Sequence, residues 1–179
     1  MDFLKKFIFY LVFVALFISC NRSKNLFSNL SSSSTNIHFT NTPEKRKVFG
    51  ILYYLYYYNG GGVAIGDINN DGLPDIYFTA NSKGGNKLYL NKGNFQFEDI
   101  TLKAGVTGTS DWCSGTTMAD VNGDGYLDIY VSAVANDYGL KGHNELFINN
   151  GNEPIKSVKS SNILLFFYQL SLILPREFS

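Results

Sequence analysis

From residue 62 to residue 150 the chain alternates short apolar runs with polar, glycine-bearing breaks: VAIGD, DIYFTA, KLYLN and FQFEDIT in turn, then DIYVSAV and ELFIN after a longer gap. Such runs, rich in Val, Ile, Tyr and Phe and bounded by Gly, Asn and Asp, have the length and composition of β-strands. In the first half they predict strands over residues 63–67, 75–80, 87–91 and 95–101. The second half repeats the first. Asp67 recurs at Asp120, a period of 53 residues, Gly62 recurs at Gly115, and NKLYLNKGN from Asn86 recurs as NELFINNGN from Asn144. That last offset is 58 residues, so the second copy carries a five-residue insertion within SAVANDYGLKGHN, the place of a loop. Repetition at this period, with four short antiparallel strands per copy, is the signature of propeller blades. The expected fold class is therefore all-β, a partial β-propeller of about two four-stranded blades.

Ahead of the repeat the pattern changes twice. Lys5 and Lys6 precede an apolar run over residues 7–18, which ends in Ser19 and Cys20. A charged start, a short apolar stretch and a small residue make a secretory signal peptide, expected as a helix over residues 1–19, and the run is short for a membrane span. Cys directly after the small residue resembles the lipobox of bacterial lipoproteins, which makes Cys20 the expected lipidation site. The chain is then exported and held by lipid in a bacterial cell envelope, at the outer membrane. A plain signal peptide or an uncleaved anchor is the alternative. Residues 20–36 are polar and Ser-rich and read as a flexible tether, before a blade region over residues 37–152.

Between the first two strands of each copy lies the chemistry. Residues 67–75 read DINNDGLPD and residues 120–128 read DVNGDGYLD, both D-x-N-x-D-G-x-x-D. Asp67, Asn69, Asp71 and Asp75, and again Asp120, Asn122, Asp124 and Asp128, place side-chain oxygens at positions 1, 3, 5 and 9, with Gly72 and Gly125 at position 6 for a tight bend. Carboxylates held this close repel by about 4 kcal/mol per pair at an effective dielectric near 20. A hard, oxygen-seeking cation such as calcium removes that repulsion. The competing reading makes these segments plain turns, since Asp and Asn side chains bond the backbone two residues on. A turn, however, needs no third carboxylate, and both copies agree at every liganding position. An EF-hand is excluded, because position 12 is Phe78 in one copy and Val131 in the other, where a bidentate Glu would be required.

The run YNGGGVAIGDINNDGLPDIYFTAN, followed by NKLYLNKGNFQFEDIT and DVNGDGYLDIYV, resembles the FG-GAP or VCBS repeat family, the calcium-loop propeller blades also found in integrin α-chain heads. It is similar to the exported members that often carry a C-terminal ASPIC/UnbV module. The resemblance implies calcium held by Asp67, Asn69, Asp71, the Leu73 carbonyl and Asp75, and in the second copy by Asp120, Asn122, Asp124, the Tyr126 carbonyl and Asp128. It also implies about seven blades. After Asn152 the F-x-F-x-D run of a fourth strand is missing, and residues 153–179 keep no family feature. They are expected to be an aberrant tail, from a reading-frame slip near Glu153 or a gene fragment; a membrane or packing segment over residues 163–174 is the alternative. A two-blade piece leaves strand edges open to pairing with other chains.

Composition narrows the function. Lys and Arg number 15, Asp and Glu 15, for a net charge of +0. That removes the basic footprint of a nucleic-acid binder. With Cys20 lipidated, Cys113 has no disulfide partner; beside Trp112 it reads as a small buried residue. His38 and His143 read as loop histidines. The Tyr-rich run over residues 53–58 reads as core or sheet surface rather than a glycan-stacking platform, and Gly60 to Gly62 as a site of close backbone approach. The expected function is a non-enzymatic, calcium-stabilised, lipid-anchored module that binds a glycan or a protein. The alternatives are part of a polysaccharide-degrading enzyme and a non-functional fragment.

Overall fold

The computed structural model describes residues 3–7, 26–43, 50–52, 54–135 and 139–151, and the backbone of 156–159. It divides into two compact units, Met1–Leu30 and Ser31–Ser179. In the first unit residues 3–7 are helical and exposed. Most of the expected signal peptide, Cys20 included, lies outside the described residues, as do the side chains of the expected tail. No helix among the described residues is long and apolar enough to cross a membrane.

The second unit holds two four-stranded antiparallel sheets, each a simple meander. Strands β1 (Val63–Gly66), β2 (Asp75–Phe78), β3 (Lys87–Asn91) and β4 (Phe97–Asp99) form the first, and β5 (Cys113–Ala119), β6 (Asp128–Ala133), β7 (Glu145–Ile148) and β8 (Lys156–Lys159) the second. The all-β, two-blade expectation therefore holds. Strand order follows chain order because every connection is short enough to make only an antiparallel neighbour.

Alternation along the strands decides which residues meet. Tyr77 on β2 stands opposite Leu88 on β3, and Ile129 on β6 opposite Phe147 on β7. Together with Ile68, Ile100, Ala104, Val106, Cys113 and Val131 they form one core between the two sheets, with Leu90 and Met118 at its margin. The Tyr77 hydroxyl lies fully inside this core and donates to the Val106 carbonyl at 2.7 Å, while Asn86 donates to it at 3.1 Å. Asn86 also accepts from the Ala80 amide at 2.9 Å, and its repeat counterpart Asn144 accepts from the Ala133 amide at 3.0 Å. Each copy thus uses the same Asn to close its second hairpin. Trp112 and Cys113 are both buried, as expected, and burial pushes the Cys113 thiol up to about 11, so it stays protonated.

Three expectations are corrected. A fourth strand does follow Asn152: the backbone of Lys156–Lys159 pairs with Glu145–Ile148. An edge strand needs only backbone donors and acceptors, which any extended segment supplies, so loss of the F-x-F-x-D pattern does not remove it. The tether ends sooner than expected, because Ser32–Thr35 makes a helical turn capped by Ser31, and Thr35 is buried. The aromatic run makes turns instead of a strand, with Tyr54 bonded back to Gly50 and Tyr57 to Tyr54. Tyr57 packs on Trp112 at a centroid distance of 5.2 Å, whereas Tyr56 and Tyr58 face water. Tyr53 lies outside the described residues.

The glycine expectation is met at Gly62. A Cβ there would lie 2.9 Å from the Gly115 Cα and the Thr116 nitrogen, both backbone atoms of the other sheet. Gly62→Ala is expected to destabilise the fold by about 1–3 kcal/mol through overpacking, read as a lowered urea midpoint. Gly50→Ala, with nothing within 4 Å of the added atom, is the neutral control.

Candidate metal centre

Each acidic segment joins the first two strands of its sheet: residues 67–74 link β1 to β2, and residues 120–127 link β5 to β6. The bends form where glycine allows them. Gly72 and Gly125 adopt φ of 84° and 86°. Position 4 is also left-handed, with Asn70 at 60° and Gly123 at 76°. Sequence reading passed over position 4, although both copies carry there a residue type that tolerates this conformation.

The side chains repeat almost bond for bond. Asp67 accepts from the Asp71 amide at 3.0 Å and the Gly72 amide at 2.7 Å; Asp120 accepts from Asp124 at 3.2 Å and Gly125 at 2.9 Å. Asp71 accepts from the Leu73 amide at 2.8 Å and Asp124 from Tyr126 at 2.9 Å. Asn69 reaches Asp71, and Asn122 reaches Asp124, both at 2.9 Å. Backbone amides thereby hold positions 1, 3 and 5 around one bend, with their side chains open to solvent.

Position 9 is different in kind. Asp75 is fully buried and accepts from the Ile68 amide at 2.9 Å and the Asn91 amide at 2.8 Å. Asp128 is 1% exposed and accepts from Val121 at 2.9 Å and Asn149 at 2.8 Å. Each carboxylate fastens its loop to the end of the third strand. Asn91 and Asn149 then bond forward to the amides of Gly93 and Gly151 at 2.9 and 3.0 Å. These two Asn residues belong to the site's framework, and their signal was their recurrence within NKLYLNKGN and NELFINNGN.

The loops of the two copies also touch. Asn70 donates to the Gly125 carbonyl at 3.0 Å, and Asn149 donates to the Ile68 carbonyl at 2.7 Å. All ten sequence-predicted positions therefore lie along one rim of the paired sheets.

Electrostatics reflects this crowding. Burial pushes the Asp75 carboxyl above its ordinary range; the Asn91 and Ile68 amides oppose this, and the charges of Asp71 and Asp67 add to the rise. Asp128 is raised likewise, by burial first, against the Val121 and Asn149 amides, with Asp124 and Asp120 adding. Exposed Asp120 is held below its ordinary range, chiefly by the Gly125 amide. Among the described residues none of the six aspartates has a Lys, Arg or His partner. The donor chemistry, carboxylate and amide oxygens around one bend, fits a hard cation. Among the described residues no three Asp, Glu, His or Cys side chains converge as a cluster on their own. Any cation here would need further oxygens, and Asn69 and Asn122 stand beside Asp71 and Asp124 to offer them.

Comparison with known proteins picks out the same segment. Residues 67–131 match the FG-GAP-like repeat. The chain is 41% identical over 73 residues to cartilage acidic protein 1 of Xenopus tropicalis, 40% to that of Mus musculus and 38% to that of Homo sapiens, in each case over 41% of this chain and 11% of the relative. It thus spans about a tenth of the length of the curated relatives it matches.

Asp75→Asn keeps one acceptor and sets an amide N–H₂ against a buried backbone N–H. It and Asp128→Asn are each expected to cost about 1–3 kcal/mol in chelator, whereas Asp71→Asn, at an exposed position, leaves chelator stability nearly unchanged. Carboxyl-carbon NMR titration without added metal is expected to find Asp75 and Asp128 above 3.8 and Asp120 below it. For the first two the native state binds more protons in the window above 3.8. Their contribution to stability therefore falls as pH rises through their native midpoints.

Proposed function

We propose that this chain is a calcium-binding β-propeller-type repeat module that works outside the cytoplasm and binds a glycan or protein partner, without catalysing a reaction. One observation carries the reading: two loops of the same sequence pattern fold to the same pattern of hydrogen bonds, each holding three aspartates along one bend with no cationic partner among the described residues. Asp67, Asn69, Asp71, Asp75 and the Leu73 carbonyl would hold one ion, and Asp120, Asn122, Asp124, Asp128 and the Tyr126 carbonyl the other. Bound calcium supplies the positive charge that the loops lack. The chain's part is to order the oxygens beforehand through the amides of residues 71–73 and 124–126.

FG-GAP-like repeats occur in extracellular or exported proteins, which agrees with the charged, apolar N-terminus. Attachment through lipid on Cys20, to a bacterial outer membrane, belongs to the same proposal. An enzymatic reading finds little support in the cluster around His143. His143 lies 3.2 Å from the Thr109 hydroxyl and 3.4 Å from the buried Glu145. The Thr109 hydroxyl donates to Glu145, however, and the Thr109 amide does so too at 2.9 Å. The hydroxyl hydrogen is directed at the carboxylate, so it is not offered to His143. The cluster instead fastens the inserted loop to the segment joining the sheets.

Calorimetric titration of chelator-treated protein with calcium is expected to give two sites, and Asp71→Asn or Asp124→Asn one. With a Kd on the order of 10⁻⁴ M, millimolar calcium adds about 1.4 kcal/mol per site and raises the melting temperature. Absence of both heat and thermal shift would defeat the metal claim.

A further inference from the structure

The two ends of the strands differ in chemistry. At one end lie the acidic loops, which follow Gly66 and Ala119, and there Lys92 pairs with Glu98 at 3.6 Å. At the other end stand Lys83, between β2 and β3, Lys87, Lys103 and Lys141. The described acids of that end are engaged: Asp99 with Lys87 at 2.8 Å, Asp111 with the Lys141 amide at 2.9 Å, and buried Glu145 with the Thr109 amide at 2.9 Å. A chain whose net charge is +0 is thus polarised along its strands.

The end away from the acidic loops also carries an apolar knuckle. Residues 50–58 turn repeatedly, with Tyr54 bonded back to Gly50, Tyr57 to Tyr54 and Asn59 to Tyr56. Tyr54 and Tyr57 point inward and pack on Trp112, just ahead of β5, and on Leu140 and Val134, beyond β6. Left outside are Leu52, 91% exposed, Leu55, 79%, Tyr56, 61%, and Tyr58, 74%. The knuckle is therefore anchored by its own aromatics, and it sits past the ends of β5 and β6 rather than on a face of either sheet. No residue from Gly50 to Gly66 is charged, and Lys45, Arg46 and Lys47 come shortly before this stretch in the chain.

Exposed apolar side chains gathered in this way mark a contact surface. A sugar platform calls for an aromatic face flanked by polar side chains. Here two leucines stand forward, and between Gly50 and Asn59 the tyrosine hydroxyls are the only polar side-chain groups. A bilayer surface answers every part of the pattern: leucine tips suit the acyl boundary, and tyrosine rings suit the level of the headgroups. Lysine and arginine are drawn to anionic headgroups, which repel the acidic loops at the far end. We propose that the knuckle over residues 50–58 is a docking site for an anionic lipid bilayer, and that it seats the module with its acidic loops turned away from the membrane. The contact goes beyond attachment through the N-terminus, which would hold the chain near a bilayer without orienting it. It uses neither Cys20 nor the loop ions, so it stands or falls apart from both.

The test places the full chain with vesicles of phosphatidylcholine and phosphatidylglycerol and follows amide hydrogen exchange by mass spectrometry. Amides of residues 50–58 are expected to exchange about tenfold more slowly with these vesicles than without them. The slowing is expected to be weaker on phosphatidylcholine alone, and residues 67–75 and 120–128 are expected to exchange as before. Because the apolar N-terminal run can hold the chain on a vesicle by itself, local protection decides, not vesicle binding. Leu52→Ser together with Leu55→Ser, both at exposed positions, is expected to abolish the protection at an unchanged melting temperature. Leu52→Trp is expected to gain a blue-shifted emission on vesicles that brominated acyl chains quench, over the fixed signal of buried Trp112. Exchange at residues 50–58 that ignores the vesicles, or an indole at position 52 that brominated chains leave unquenched, overturns the proposal. So does equal protection without vesicles, whether it comes with rising protein concentration, the mark of a protein partner, or with a soluble polysaccharide, the mark of a glycan.

Discussion

Each sheet of this molecule depends on one buried carboxylate that two distant amides share. Asp75 joins the amides of Ile68 and Asn91, and Asp128 those of Val121 and Asn149, so a residue opening the second strand fixes both the loop before it and the end of the third strand. An ionised acceptor gives stronger hydrogen bonds than a neutral one. Its burial is costly unless every oxygen is satisfied, and here both oxygens are. The consequence is geometric: with position 9 tied down inside, the remaining acids can only project around the rim.

That arrangement explains why the loops tolerate so much negative charge. Backbone amides of the bend point at Asp67 and Asp120 from consecutive residues, a concave set of partial positive charges. These amides order the acids without neutralising them. The upward shifts at Asp75 and Asp128, to which the neighbouring carboxylates contribute, register what remains. A loop of this kind is folded by its backbone and left short of charge, which is the condition under which a cation adds stability without having to create the shape.

Much of this was legible in the sequence, and the reason lies in repetition. Strand positions followed from the apolar runs, and comparing DINNDGLPD with DVNGDGYLD separated the recurring polar positions from spacers. Three features escaped for physical reasons. The strand at Lys156–Lys159 pairs through its backbone, to which side-chain pattern is a poor guide. The aromatic run looked strand-like by composition, yet Tyr57 satisfies its burial by packing on Trp112 from a turn, with no need of a neighbouring strand. The clamp at Asp75 was hidden because the proposed cation loop and a buried hairpin clamp call for the same residue at position 9. Only the placement of the Ile68 and Asn91 amides shows the clamp.

The differences between the copies give the stack a direction. Asn91 donates to the Pro74 carbonyl within its own sheet at 3.0 Å, whereas Asn149 donates to Leu127 at 3.3 Å and more closely, at 2.7 Å, to Ile68 of the preceding loop. At the position of Lys87, which pairs with Asp99 on the exposed surface, the second copy has Glu145, turned inward to take Thr109 from the connecting segment. Each change sends a side chain of the later copy back to the earlier one. In the first sheet the corresponding groups stay within their own sheet, and its outer face turns instead to the segment before it, where Phe39 stacks on Phe78 at 4.7 Å and the His38 amide donates to the Tyr89 hydroxyl at 3.3 Å. The first sheet is thus covered by residues before it and the second by the sheet before it, two answers to one packing requirement.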